Sequence, residues 1–282
     1  MPPYTLIEKI LFFPVRFNAD RIKQKMHGKT ILITGASSGI GKELAYLLKD
    51  AHVQLILVAR REDKLQQIKR DIESSAAQVS VFRADLRDAE DMAELLRYLH
   101  RFPNGLDIVV SNAGKSINRP IYQSLDRLHD FTRTMAINYT APVELVLSVL
   151  PLLEKNNGHL VNVSTINALL HPIPYWAAYQ ASKAAFDTWF RSASPEWQAR
   201  GISSTTLYFP LVRTPMIEPT LAYRTAPAML PAHAARMIAE SVAAKRKTYK
   251  PWWLIFGQLA SVLFRPIFDM IFAAQAKKKE RA

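Results

Sequence analysis

The sequence predicts a doubly wound α/β fold, a parallel sheet with helices on both faces, and three observations carry that prediction. Short β-branched runs alternate with amphipathic helical patterns along most of the chain. The first run leads straight into a glycine-rich turn and a helix. Polar residues follow the later runs, where a parallel sheet places its ligand crevice, outside the carboxyl ends of the strands. With 282 residues, 49% of them hydrophobic, the chain can build one such domain plus extensions.

The elements follow in order. Residues 28–34, GKTILIT, read as a buried parallel strand. Gly35-Ala-Ser37-Ser38-Gly39-Ile40-Gly41 comes next, then a helical pattern through Lys49. The glycines permit a tight turn and the close approach of a pyrophosphate to a helix N-terminus, whose free N–H groups and dipole favour anions. Residues 53–59, VQLILVA, form a second strand, ending in Arg60 and Arg61 where an NAD site needs a carboxylate. A guanidinium pair there suits the 2′-phosphate of NADP, with Ser37 as a further donor, so NADPH is expected over NADH; the other reading is a solvated loop begun by two arginines beside Glu62 and Asp63. A helix to Ser74, a strand over residues 79–82, Asp85-Leu86, a helix over 89–100 and a strand over 106–111 continue the alternation. Asp85 and the turn Asn112-Ala113-Gly114 therefore line the predicted crevice. Residues 118–126 read as loop and 131–153 as one long helix containing Asn138, a residue that by itself reads as a structural hydrogen-bonder.

The next stretch, residues 161–183, ends in Tyr179-x-x-x-Lys183 and begins with a strand delivering Ser164 and Thr165. Residues four apart share a helix face, so an ammonium lies beside a phenol and is expected to favour phenolate. A hydroxyl from the strand end would hold a substrate carbonyl. Alone, this spacing is common by chance.

Jointly, these motifs resemble the short-chain dehydrogenase/reductase family. The resemblance rests on Thr34-Gly35-x-x-x-Gly39-Ile40-Gly41, Asn112-Ala113-Gly114, Asn138, the Ser164/Thr165 strand end and Tyr179-Gln-Ala-Ser-Lys183, in the family's order, over residues 28–240. It implies a single Rossmann-type domain that reduces a carbonyl or oxidises an alcohol with a nicotinamide. It makes Tyr179 the proton donor or acceptor, Lys183 the group that lowers the Tyr pKa and binds the nicotinamide ribose, and Asn138 a partner of a proton-relay water. Asp85 would contact adenine, with Leu86 beside it, and the Asn112 turn would support the cofactor. Two departures stand out. Aligning VNVST puts Thr165 in place of the family's Ser, although a local shift would present Ser164. Leu211 replaces the usual Gly before Thr214, the residue that would meet the cofactor, so that loop is expected to be reshaped. The family often forms dimers or tetramers, which the resemblance extends to this chain.

A strand over 202–209 and a lid follow. Met216, Ile217, Leu221, Tyr223, Met229 and Leu230 of the lid either form an apolar substrate pocket or pack on the domain. PLVRTPMIEPT is similar to the corresponding loop of bacterial long-chain acyl-CoA reductases of the family, which favours a lipid-like carbonyl such as a fatty acyl thioester, aldehyde or long-chain ketone. The competing reading is a non-catalytic NADP-binding sensor or scaffold at membranes.

Composition bounds the remainder. The chain has no cysteine, which excludes disulfides, thiolate metal sites and a Cys nucleophile, and no metal centre is expected; redox chemistry must come from a cofactor. The net charge of +13 is placed around an apolar C-terminal stretch, at Lys245, Arg246, Lys247, Lys250 and the tail Lys277 to Arg281, which favours a membrane surface over nucleic acid. Three regions are expected: an amphipathic extension over 1–27, the nucleotide-binding domain over 28–250, and an apolar, basic-tailed segment over 251–282. The first lacks the pattern of a signal peptide and reads as a helix broken near Pro14, docked on the domain or lying on lipid. The last begins with Trp252-Trp253, but Arg265, Pro266 and Asp269 interrupt it short of the ~20 apolar residues that spanning needs. A kinked helix lying on the cytoplasmic face of a membrane fits it; packing on the domain or completing a dimer is the alternative.

Overall fold

A computed structural model of the chain describes residues 4–14, 16–220, 223 and 225–280. Seven parallel strands form one sheet: β1 (Thr30–Thr34), β2 (Gln54–Ala59), β3 (Gln78–Arg83), β4 (Ile108–Ser111), β5 (His159–Thr165), β6 (Ser203–Phe209) and β7 (Thr248–Tyr249), in the order β3-β2-β1-β4-β5-β6-β7. Strand order reverses between β1 and β4, and a parallel sheet opens its ligand crevice there. Alternate residues feed two cores. Ile31, Ile33, Leu55, Leu57, Val161 and Val163 face one side of the sheet, while Leu32, Ile56, Val58, Val109 and Leu160 face the other. The two-residue β7 lies beyond the strands that alternation marks, because two residues carry no period.

Eleven α-helices complete the described chain: α1 (Leu6–Leu11), α2 (Ala19–Met26), α3 (Gly39–Leu47), α4 (Glu62–Ile72), α5 (Ala89–Leu99), α6 (Leu128–Met135), α7 (Ala141–Glu154), α8 (Ala177–Gln198), α9 (Pro231–Ala243), α10 (Leu254–Leu263) and α11 (Arg265–Glu280). The long helical pattern expected over 131–153 starts earlier, at Leu128, and is interrupted by a π-helical turn, Ala136–Thr140, that carries Asn138. Such turns widen a helix locally and often mark functional positions. The N-terminal extension is helical over Leu6–Leu11 and again over Ala19–Met26, with Pro14 in the break between them. Phe12, Ile22 and Met26 enter the core, so α2 and the end of α1 dock on the domain. α10 and α11 meet at a 90° bend.

Candidate active site

The end of β1 and the start of α3 form a turn with no room for a side chain at Gly35, Gly39 or Gly41. Gly35 and Gly39 have φ of +66° and +57°. A Cβ at Gly35 would lie 2.9 Å from the Ala113 Cα, and one at Gly41 would lie 2.8 Å from both Asn112 Nδ2 and the Gly35 carbonyl. Asn112 stitches β1 to β4: its Nδ2 donates to the Thr34 carbonyl (2.9 Å), and its backbone N–H and that of Ala113 donate to Thr34 Oγ1 (3.0 Å each). The cradle therefore sits at the switch point. Ile40 packs partly buried behind the turn.

Cations surround it. Arg61 donates to Ser37 Oγ (3.1 Å) and Ser38 Oγ (2.8 Å), fixing a guanidinium on the glycine turn. Arg60 turns instead toward Asp85, 3.8 Å away. Arg87 binds the same carboxylate at 2.6 Å, and its hydrogen bond, despite burial, holds Asp85 below the usual carboxylate range. Leu86 is buried beneath. Lys115 follows the Asn112-Ala113-Gly114 turn; burial first, then Arg133, Arg87 and Arg60, push its ammonium pKa down. Arg87 and Lys115 were not singled out by motif, although Lys115 directly follows a motif residue.

On the other side of the switch point, β5 ends in Thr165 and α8 carries Tyr179 and Lys183. The Thr165 side chain faces the Tyr179 hydroxyl and acts to lower its pKa. Ser164 points the other way, as strand alternation dictates, and its Oγ is buried without a hydrogen-bond partner among the described residues. The structure thus brings Thr165 to Tyr179 and does not bring Ser164. Lys183 Nζ donates to the Val163 carbonyl (3.0 Å), and burial lowers its pKa to about 8, with Asp187 opposing. Burial raises the Tyr179 pKa, against the depression expected from Lys183, and the neighbouring Thr165 hydroxyl only partly offsets this. Trp176 packs edge-on to Tyr179 (6.0 Å between ring centroids) and Tyr223 stacks on Trp176 (5.3 Å), and the desolvation they bring disfavours the phenolate. No pattern in the sequence marks Trp176, whose role comes from packing.

Asn138 is buried. Its Nδ2 donates to the Lys115 carbonyl (2.8 Å) and Ser182 Oγ (2.9 Å), and its Oδ1 accepts from the Lys115 N–H (2.9 Å). A Cβ at Gly114 would lie 3.0 Å from that Oδ1 and 3.7 Å from Lys183 Nζ, so both atoms border the same small space. Thr214 reaches the glycine turn: a Cβ at Gly39 would lie 2.8 Å from Thr214 Cγ2. The neighbouring Leu211 does not take a left-handed conformation, and the loop is held instead by a bridge between Val212 and Met229. Of the lid residues, Met229 is core and Met216 is exposed, whereas Tyr223 joins the site through Trp176; Leu221 lies outside the described residues.

These residues fit a nicotinamide dinucleotide: a cradle that only glycine permits, with arginines at the end of β2 and a phenol, a hydroxyl and an ammonium at the neighbouring strand end. The chain matches the model of the short chain dehydrogenase family over residues 29–224. A fatty acyl-CoA reductase of Acinetobacter baylyi is 39% identical over 243 residues, 86% of this chain and 81% of that protein. A fatty acyl-CoA reductase of Mycobacterium tuberculosis is 42% identical over 209 residues, 74% of this chain and 71% of that protein. Among solved structures, a dehydrogenase/reductase of Sinorhizobium meliloti is similar at a TM-score of 0.71 and 26% identity, covering 82% of this chain and 95% of that one. A short-chain dehydrogenase of Sphingobium yanoikuyae in complex with NADPH shares the fold at a TM-score of 0.72 and 22% identity, covering 90% of this chain and 96% of that one.

Proposed function

This chain belongs to the short-chain dehydrogenase family and is an NAD(P)-dependent oxidoreductase, and from that premise we propose that it is an NADPH-preferring reductase of long-chain lipid carbonyls, with a fatty acyl thioester as first candidate. The observation that carries the reading is Thr165 facing Tyr179, with the half-buried Lys183 one helical turn on, across the switch point from an arginine-bordered glycine cradle. The names of the two reductases similar to this chain support an acyl substrate.

In this reading residues 28–250 are the catalytic unit. Gly35, Gly39, Gly41 and Thr214 cradle the pyrophosphate side, Asp85 and Leu86 border the adenosine, and Arg61, with Arg60, reads the 2′-phosphate. When bound, the nicotinamide supplies the hydride. Thr165 orients the carbonyl oxygen and Tyr179 donates the proton to it; with a thioester the resulting hemithioacetal then breaks its C–S bond, the thiol leaving with the hydroxyl proton and an aldehyde remaining. A phenol whose pKa is raised stays protonated at neutral pH, which suits an acid. Lys183 steadies the developing phenolate, and Asn138 fixes the π turn beside Lys183, where a relay water would sit. Ser164 is left without a part in this chemistry. The non-catalytic alternative is not favoured, because a sensor has no use for a phenol and an ammonium one helical turn apart beside a strand-end hydroxyl.

The test follows NADPH oxidation by purified protein in vesicles with palmitoyl-CoA, a long-chain aldehyde, a long-chain ketone and a small polar ketone. Turnover confined to the long-chain members supports the reading; cofactor binding without turnover of any member would sink it. Two further results are expected. Arg61→Ala should weaken NADPH roughly 10- to 100-fold, the worth of a charge-assisted bond, and NADH far less, with Arg60→Ala smaller because that side chain is shared with Asp85. Equal losses for both nucleotides would show that neither arginine reads the phosphate. Secondly, kcat/KM for reduction should fall as pH rises through about 8, since Lys183 is charged below that value and neutral above it, while Tyr179 titrates higher. A profile flat to about pH 10 would remove Lys183 from the mechanism.

We also place the protein peripherally on the cytoplasmic face of a membrane, through residues 251–282. Ile255, Phe256, Leu259, Val262, Leu263 and Met270 are exposed, and the 90° bend between α10 and α11 suits a helix pair lying in the interface.

A further inference from the structure

Helix α1 is built inside out. A surface helix ordinarily buries its apolar residues and exposes its charges. Here Glu8 is only 2% exposed, while Leu6, Ile7, Ile10 and Phe13 stand in solvent at 76, 61, 51 and 57%. The buried carboxylate is fully engaged. Oε2 accepts from the Thr5 N–H (2.9 Å) and Oγ1 (3.1 Å), closing the capping box that starts the helix. Oε1 accepts from the Ala228 N–H (2.9 Å) and from the Arg213 guanidinium. Both partners belong to the loop between β6 and α9, which also carries Thr214 and Tyr223. Tyr4 reinforces the tie, accepting from the Leu230 N–H (2.9 Å) and pairing with His233 Nδ1 (2.9 Å).

The outward face of α1 continues into α10. Phe13 stacks on Trp252 at 5.8 Å, and the indoles of Trp252 and Trp253 donate to the Ile10 and Leu11 carbonyls (3.1 and 3.2 Å). The C-terminal pair in turn grips the loop between β5 and α8. The His171 N–H donates to Ser261 Oγ (3.0 Å), its Nε2 meets Asp269 (3.1 Å), and its ring stacks on Phe268 (5.5 Å). That loop runs from Thr165 to Trp176, against Tyr179. One exposed apolar face, built from both ends of the described chain, therefore holds both loops that flank the catalytic phenol.

We propose that α1, α10 and α11 form a single docking face for an anionic lipid bilayer, and that Glu8 and His171 couple this face to the two loops, so that docking orders the entrance for an acyl chain arriving from the lipid. The inference rests on the membrane reading above and adds α1 and the two couplings to it. Charge selects the occupant. Lys9, Arg16, Lys250 and Arg265 are exposed around the face. A second copy of the chain packed on the same face about a twofold axis would set these cations against one another, whereas acidic headgroups accept them and an interface is where Trp252 is favourable.

The test measures hydrogen–deuterium exchange and sedimentation of the full chain with vesicles of phosphatidylcholine and phosphatidylglycerol. Expected is protection of residues 5–13 together with α10 and α11, accompanied by slower exchange in 166–176 and 210–220. In Glu8→Gln, vesicles should still bind and protect α10 and α11, but 210–220 should no longer respond. The double variant Leu6→Ser/Ile7→Ser, at two largely exposed side chains, should partition about tenfold less with solution activity unchanged, and it keeps the test open if Glu8→Gln fails to fold. Absence of sedimentation by the wild type would remove the membrane reading itself. Sedimentation with residues 5–13 unprotected, with both loops unresponsive, or with loop protection arising from self-association without vesicles would overturn this inference alone.

Discussion

Tyr179→Phe is expected to lower kcat for carbonyl reduction about 10²- to 10⁴-fold, the usual worth of a positioned general acid, while leaving NADPH affinity essentially unchanged. The substitution deletes one oxygen and keeps the ring. The aromatic contact with Trp176 at 6.0 Å survives, and with it the stack of Trp176 on Tyr223. The glycine cradle and Arg61 lie on other elements and do not depend on the hydroxyl. What is lost is the hydroxyl that faces Thr165, and with it the proton that Tyr179 delivers to a carbonyl. Thr165→Val should follow in the same direction and Ser164→Ala should do little, because only Thr165 reaches the phenol. Lost cofactor binding with residual turnover in Tyr179→Phe would contradict the role assigned to it.

The second large effect is expected at the C-terminal face. Replacing Phe256, Leu259, Val262 and Leu263 together by Ser should release the protein from vesicles, with partitioning lowered roughly 10³-fold or more, since a buried apolar side chain of this size contributes about 1.5–3 kcal/mol. All four are exposed, at 55 to 77%, so the fold has little to lose. Deleting the whole segment from residue 251 is a poorer variant: Leu254 is fully buried, and the Trp253 indole is bonded to the Leu11 carbonyl, so the cut would injure the domain as well as the face. Unchanged sedimentation of the fourfold variant would show that the segment does not bind lipid.

Acid should act at α1. Burial raises the pKa of Glu8, but hydrogen bonds from Ala228, Arg213 and Thr5 overcome it and hold the carboxyl at about 2, below its ordinary 4.5. A depressed carboxyl stabilises the fold above its unfolded value, and that contribution is lost as pH falls from about 4.5 toward about 2. In a thermal melt series over that window, Glu8→Gln should flatten the dependence.

Much of the site was legible along the chain because its parts are local. A glycine turn between a strand and a helix, two arginines at a strand end, and a Tyr and Lys one helical turn apart are each specified by neighbours in sequence, and backbone geometry alone brings each part together. The alternation that predicted the sheet survives in the two cores, down to Ile31 and Ile33 on one face and Leu32 on the other. Fold class, the glycine cradle and the pairing of Tyr179 with Lys183 on one face were therefore determined by the sequence itself.

Everything that depends on partners distant in the chain was decided by tertiary structure. Thr165 rather than Ser164 meets Tyr179 because β5 presents alternate residues to opposite faces and only the assembled sheet says which face α8 covers. The Tyr179 pKa goes up rather than down because Trp176 and the surrounding chain desolvate the phenol, an effect that no spacing of charges reveals. Arg60 and Arg61, adjacent and alike in sequence, part toward Asp85 and toward Ser37 and Ser38. Glu8, an interruption in an apolar run, becomes the buried tie of α1 to a loop more than 200 residues away, because a carboxylate leaves water only where donors from elsewhere in the chain replace it.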